Sequence, residues 1–286
     1  MNSTRRLMMS ALAATLLLAA CGKKEEAAPA AEAQPAAAPA AAVQTYKVAS
    51  DAAYAPFESE TEDKKVVGFD VDVLTAAAEK AGFKVEFVNT PWEGIFNTLG
   101  TGDRDIVASA VTITDERKQT MDFSDPYFEA KQLIAIGEGS KIASAGDLKG
   151  KKVGVQTGTT GDEVVQKILG KTSPNIKRFE STPLALQELQ AGGVEAVVAD
   201  NGVVINYVAN NPNAKLKTID DAEFAKEYYG FAVKKGNAEL QAKLNEGIKK
   251  IKEDGSYEAI YARYFGAATA PAAPAAAAAP AEQTKQ

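Results

Sequence analysis

Apolar and polar positions alternate along this chain with two different periods. Tyr46–Ser50 reads as a strand, and over Asp70–Ala81 the residues Val71, Leu74, Ala78 and Ala81 return on one helical face, with Gly82 as the stop. Phe83–Val88 predicts a strand, Trp92–Leu99 a helix after Pro91, and Asp105–Ala110 a buried strand. This β-α-β-α-β order predicts a parallel sheet covered by helices.

The order then recurs. Lys152–Gln156 reads as a strand, Gly161–Leu169 as a helix, Ile176–Phe179 as a strand, Pro183–Ala191 as a helix and Val194–Ala199 as a strand. Thr218–Gly230 links back to a strand at Phe231–Lys234, and helices at Ala238–Lys252 and Tyr257–Tyr264 close the chain. Leu99-x-x-Gly102-x-x-Asp105-x-Val107 is echoed by Leu189-x-x-Gly192-x-x-Glu195-x-Val197, at an offset of 90 residues. The echo is either the common grammar of α/β units or the mark of two similar lobes. Two lobes would place a ligand in the cleft between them, at the carboxyl ends of the strands.

The ends have a different character. Arg5 and Arg6 precede an apolar run from Leu7 to Ala20 that is too short for an ordinary membrane span and reads as a secretory signal over residues 1–20. Leu18-Ala19-Ala20-Cys21 looks like a bacterial lipobox, so Cys21 is the expected lipidation site and membrane anchor. As the chain's one cysteine, it also rules out an internal disulfide. Residues 21–44 form an Ala/Pro-rich linker and 267–286 a similar tail, both expected to be disordered. Without residues 1–20 the 286-residue chain carries 30 basic against 38 acidic side chains, a net −8 that weighs against nucleic acid as a partner.

The chain has no histidine, which excludes a Ser-His-Asp or Cys-His arrangement and any histidine-ligated metal. No Gly-rich phosphate loop follows the first strand. Binding is therefore expected rather than catalysis, with no catalytic residue, metal or cofactor assigned. The polar groups that stand out fall at strand ends: Asp51 and Tyr54, Trp92, Ser109, Ala110 and Thr112, then Arg117, then Gln156, Thr159 and Thr160, then Asp200. Together they suit a zwitterion. A carboxylate takes a bidentate guanidinium with hydroxyl and backbone N–H donors, which Arg117, Thr112 and the chain after Ser109 could supply. The amides around Thr159–Gly161 open a helix and favour an anion too. An ammonium takes a carboxylate, and Asp200 is available. Each residue also has a plainer reading: Arg117 as a solvated surface charge, Asp200, Thr159 and Thr160 as helix caps, Trp92 and Tyr54 as core.

Asp51-Ala-Ala-Tyr-Ala-Pro-Phe-Glu58, Gly68-Phe-Asp-Val-Asp72, Thr112-Ile-Thr-Asp-Glu-Arg-Lys118 and Asp122-Phe-Ser-Asp-Pro-Tyr127 resemble segments of the bacterial extracellular solute-binding proteins for polar amino acids, family 3, which serve ATP-binding-cassette (ABC) importers. The resemblance spans about 45–266. It implies a two-lobed periplasmic-binding-protein-like fold of type II, with two parallel-sheet α/β lobes joined by two hinge crossovers. Lobe one would be 45–130 plus 228–266, and lobe two 131–227. By matching motifs, Arg117, Thr112, Ser109 and Ala110 take the α-carboxylate and Asp200 the α-ammonium. Tyr54 and Trp92 clasp the ligand's side chain, Asp51 faces its far end, and Gln156 and Thr160 add contacts from lobe two. The Ala/Pro tail departs from the family pattern.

The likeness points to the branch that binds arginine, lysine or histidine. Glutamine-binding relatives carry a lysine where Gln156 stands, and a lysine there would repel a cationic ligand. The expected partners are a free L-amino acid, permease subunits of an ABC transporter, and the membrane through the lipid anchor. The protein is expected as a monomer facing the periplasm or cell exterior. Alternatives are glutamine or another polar amino acid as ligand, a cyclohexadienyl dehydratase-like enzyme, and a sensor domain.

Overall fold

The computed structural model describes residues 43–266. The expected signal, Cys21, the linker up to 42 and the tail from 267 lie outside the described residues.

Two sheets organise the chain. In the first, the strands run in the order Lys84–Asn89, Thr45–Ser50, Ile106–Val107, Ala232–Lys234 and Met121–Phe123. The first three are parallel, with Tyr46 opposite Val85 and Val48 opposite Ile106. In the second, Ile176–Phe179, Val153–Gln156 and Ala196–Asp200 are parallel neighbours, followed by Phe128–Gly137 and Leu216–Ile219. Each sheet thus has the expected parallel centre, but neither is wholly parallel. Ala232–Lys234 runs antiparallel to both of its neighbours, and Phe128–Gly137 runs antiparallel to Ala196–Asp200. The reason is the crossover. The chain passes from one sheet to the other along Phe128–Gly137 and returns beside it along Lys226–Tyr229, and two adjacent strands running out and back are antiparallel.

Phe128–Gly137 does two jobs. Phe128–Lys131 pairs with Tyr229–Lys226 in the crossover ladder, and Gln132–Ala135 pairs with Asp200–Val197 in the core of the second sheet. Its burial alternates at first and then becomes continuous. That change of pattern kept it from reading as a strand in the sequence.

Most helices fall where their periodicity places them, including Phe69–Ala81, Thr160–Leu169, Thr182–Ala191, Ala238–Glu253 and Ser256–Phe265. The offset echo has a local cause: helices Asn97–Thr101 and Thr182–Ala191 both end on a left-handed glycine, Gly102 and Gly192, each at φ +81°. The expected helix Trp92–Leu99 is displaced to Asn97–Thr101, because Gly94 at φ +83° interrupts the turn after Pro91. Trp92 is therefore carried on a loop. The helix Asn201–Asn210 and the strands Met121–Phe123, Leu216–Ile219 and Lys226–Tyr229 were not read from the sequence.

Beneath the first sheet lies an aromatic core. Phe69 is fully buried and packs edge-on against Phe57, Phe128, Tyr257 and Tyr261, with centroids 5.5–6.1 Å away. The second sheet has an aliphatic core on each face: Ile134, Ile136, Val153, Val155 and Val198 on one side, Leu133, Leu186, Val197 and Val204 on the other. Among the described residues no helix is long and apolar enough to cross a membrane.

Candidate functional site

A cavity of about 300 Å³, mouth included, opens between the carboxyl ends of the two sets of parallel strands. Its lining comprises Asp51, Tyr54, Trp92, Ser109, Ala110, Thr112, Arg117, Gln156, Thr159, Thr160 and Asp200, so the residues singled out at strand ends converge on one space. Asp51 directly follows the strand Thr45–Ser50, Gln156 ends Val153–Gln156, and Asp200 ends Ala196–Asp200. Contacts that cross the cleft include Gln156 Nε2 donating to Asp51 Oδ2 at 2.9 Å and Arg117 Nη2 donating to the Gly158 carbonyl at 3.4 Å.

On the first side, the Ser109–Ala110 segment is held from below. The Asp51 amide donates to Ser109 Oγ at 3.0 Å, and Ser109 Oγ donates to Glu58 Oε1 at 3.1 Å. The Ala110 amide donates to Asp70 Oδ2 at 2.8 Å, and Tyr127 Oη reaches the same oxygen at 2.6 Å. Ala110 sits at φ +45°, a conformation a non-glycine residue keeps only where its surroundings impose it. Burial lifts the Asp70 carboxyl to about 7. At Glu58 burial and then the neighbouring Asp70 charge push the carboxyl well above its ordinary range, against the Ser109 hydrogen bond. Neither role was assigned from the sequence, although both residues stood inside the quoted motifs.

Arg117 meets the cavity with most of its hydrogen-bonding capacity free. Nη1 donates to the Thr112 carbonyl at 3.0 Å, and the guanidinium carbon lies 5.5 Å from the Trp92 ring and 5.3 Å from Phe96. Among the described residues no carboxylate is in ion-pair contact with it. A guanidinium has five N–H donors, and those not spent on the two carbonyls suit a carboxylate. Loss of water lowers its pKa, though a guanidinium stays charged.

The opposite charge collects at Asp200. Gln132 Nε2 donates to its Oδ1 and Tyr229 Oη to its Oδ2, each at 2.5 Å, and the Tyr54 hydroxyl also bonds it. Tyr54 thus does more than offer a ring face, because its hydroxyl is engaged by Asp200. Burial, then the nearby Glu227 charge, raise Asp200 to about 6 against the opposing hydrogen bonds. Burial also raises Asp51, opposed by the Gln156 hydrogen bond. Thr159 is a helix cap as well as a wall: its hydroxyl accepts from the Asp162 amide at 3.2 Å and donates to the Gln156 carbonyl at 2.8 Å. Gln132, Glu227 and Tyr229, all on the crossover strands, were missed by the sequence reading.

One guanidinium and two carboxylates, Asp200 and Asp51, line the cavity, and among the described residues neither carboxylate is in ion-pair contact with a cation; the set fits a ligand with one negative and two positive groups. The sequence matches the family of bacterial extracellular solute-binding proteins, family 3, over residues 46–267. The chain belongs to that family. A probable histidine-binding protein of Neisseria gonorrhoeae is 50% identical over 232 residues, covering 80% of this chain and 87% of the relative. The L-arginine-binding protein of Pseudomonas aeruginosa is 33% identical over 238 residues, covering 79% and 89%. Among solved structures, the arginine-, lysine-, histidine-binding protein ArtJ from Geobacillus stearothermophilus superposes with a TM-score of 0.75 at 49% identity, covering 78% of this chain and 96% of that one. The two-lobed fold is that of this solute-binding family. Among the described residues no group of three or more histidine, cysteine or acidic side chains could hold a metal ion.

Proposed function

We propose that this protein captures a free basic L-amino acid (arginine, lysine or histidine) outside the cell membrane and delivers it to the permease subunits of an ABC importer. The observation that carries this reading is the charge layout of the cleft: among the described residues Arg117 stands without a carboxylate partner, while Asp51 on the first side and Asp200 on the second stand without a cation in ion-pair contact. Arg117 receives the α-carboxylate and Asp200 the α-ammonium. Asp51, steadied by Gln156, receives the cationic end of a side chain passing Tyr54 and Trp92. Ser109, Ala110, Thr112, Thr159 and Thr160 complete the wall. The names of the relatives support the same ligand class. In this reading lobe one is 45–130 plus 228–266 and lobe two 131–227, the Phe128–Gly137 and Lys226–Tyr229 ladder being the hinge. Cys21 carries the lipid anchor.

Calorimetric titration of ligand-stripped protein with the twenty amino acids tests the proposal. Arginine, lysine or histidine is expected to bind most tightly. Tight glutamine binding with no response to the basic amino acids would replace the ligand by the glutamine alternative. Asp51→Asn is expected to weaken arginine and lysine by about tenfold or more, the worth of a charge-assisted hydrogen bond, while leaving any residual glutamine binding nearly unchanged. An equal loss for both classes would remove Asp51 from the selectivity role.

Affinity should also depend on acidity. A bound ammonium favours ionised Asp200, whose empty-site pKa is about 6, so binding near that pH releases a proton and affinity falls as the pH drops through it. The groups around Asp200 are Glu227, Tyr229, Tyr54 and Gln132, and the two tyrosines stay neutral throughout. Arginine should therefore bind about tenfold more weakly at pH 5 than at pH 7. A flat profile over that range would remove Asp200 from the ammonium subsite.

A further inference from the structure

Glu58 and Asp70 lie beneath the first wall of the cavity and are not among its lining residues. Glu58 opens the strand Glu58–Glu60, and Asp70 stands in the first turn of the helix Phe69–Ala81. Both are fully buried. Each carboxyl turns one oxygen to the wall above. Glu58 Oε1 accepts from Ser109 Oγ, which itself accepts the Asp51 amide. Asp70 Oδ2 accepts from the Ala110 amide and from Tyr127 Oη. Among the described residues, no donor reaches the two oxygens left over, Glu58 Oε2 and Asp70 Oδ1. The two carboxyls are in hydrogen-bond contact with each other.

That pattern admits one proton. With none, two buried negative carboxylates would face each other without a donor between them. With two, the second O–H would stand without an acceptor, or would have to turn on Ser109 and displace the proton already given to Glu58. With one, lying between Glu58 Oε2 and Asp70 Oδ1, both orphaned oxygens are joined and no donor is left over.

We infer that Glu58 and Asp70 are positioning residues that act as one unit: they share a single proton, and the joined pair fixes the two stretches of backbone in the first wall of the binding site, Asp51 through Ser109 and Ala110 directly. This rests on the amino acid reading above only for what the wall holds. Ala110 shows why the restraint is needed. Its φ of +45° has to be imposed by its surroundings, and its amide is held by Asp70. Burial raises both carboxyls, as retention of a proton requires. The titratable groups facing the pair are the carboxyls of Asp51 and Asp200 and the hydroxyls of Tyr54, Tyr127 and Tyr257, and burial keeps the three tyrosines neutral.

The test reads the proton and the wall separately. A folded state that keeps a proton already released by the unfolded chain loses stability as the pH rises. Between pH 7 and 9 the folded-to-unfolded ratio of the wild type, from denaturant unfolding, should therefore fall about tenfold per pH unit until the pair gives up its proton. Glu58→Gln carries an amide N–H for Asp70 and an amide oxygen for Ser109 and has no proton to release, so its ratio should stay level. The chain has no histidine to tilt either profile. For the wall, arginine is titrated at pH 7: Glu58→Ala is expected to weaken it by about tenfold or more, and Glu58→Gln to recover most of that loss. A level wild-type profile, or a slope that persists in Glu58→Gln, overturns the shared proton. Arginine binding as weak in Glu58→Gln as in Glu58→Ala overturns the positioning role. Failure of the wild type to bind arginine, lysine or histidine overturns the ligand reading, and the unfolding profiles then decide the shared proton by themselves.

Discussion

Arg117→Ala is expected to weaken every α-amino acid ligand by roughly a hundredfold to a thousandfold, the cost of leaving a desolvated carboxylate without its partner. The loss should be blind to the ligand's side chain, because Arg117 answers to the group that all amino acids share. Its own ties are few: one hydrogen bond to the Thr112 carbonyl, a longer one to the Gly158 carbonyl, and contact with the Trp92 and Phe96 rings. Truncation should therefore cost little thermal stability, and melting curves would show whether fold and binding part company. Arg117→Lys keeps the charge but loses the planar fork, so it should recover only part of the affinity. Calorimetry on both variants with arginine and lysine is the measurement. Near-normal affinity in Arg117→Ala would mean that the carboxylate is bound elsewhere and that the charge layout has been misread.

The largest expected effect on stability is Gly68→Ala. Gly68 has φ +144° and ψ −177°, a conformation open in practice to glycine alone. Space forbids a side chain there as well: a Cβ would lie 2.1 Å from the Phe57 carbonyl oxygen. The segment cannot swing clear, because the Phe69 amide donates to the Pro56 carbonyl at 2.9 Å and the Asp70 amide to the Phe57 carbonyl at 3.0 Å. Strain and overpacking each cost about 1–3 kcal/mol, so a loss of about 3 kcal/mol or more is expected. For a domain of this size that lowers Tm by roughly 6–12 °C. Gly82→Ala is the control. It too has positive φ, at +80°, but nothing lies within 4 Å of its Cβ, so it should lose only about 1 kcal/mol. Equal melting temperatures for the two variants would show that the Phe57 contact does not matter. Because Phe57 lies between Tyr54 and Glu58, residual folded Gly68→Ala should also bind ligand poorly.

Much of the site could be read before any fold was known. Asp51, Gln156 and Asp200 follow or end apolar runs, and a parallel strand delivers its last residue to the same edge as its neighbours. Trp92 was placed in the cavity for an incomplete reason, since it reaches it from a loop rather than from the expected helix. Tyr54 was expected as a ring face, while its hydroxyl is turned to a carboxylate. The residues that were missed share one property. Glu227 sits in a short, mixed-polarity run, Lys226–Tyr229, whose burial alternates only weakly, and Gln132 interrupts a strand that changes role halfway along.

Local periodicity, glycine stops and the residue types at strand ends were enough to order the helices and strands, imply two similar units, and bring a guanidinium and separate carboxylates to one cleft. Those are short-range properties, and the hydrophobic period records them directly. Tertiary structure alone decided how the polar groups are paired. Glu227 meets Thr112 across 115 positions and Thr160 across 67, and Gln132 meets Asp200 across 68. A hydrogen bond between residues so far apart leaves no repeat or spacing in the chain. The direction in which a hydroxyl proton points is set only when the crossover strands bring its partner alongside.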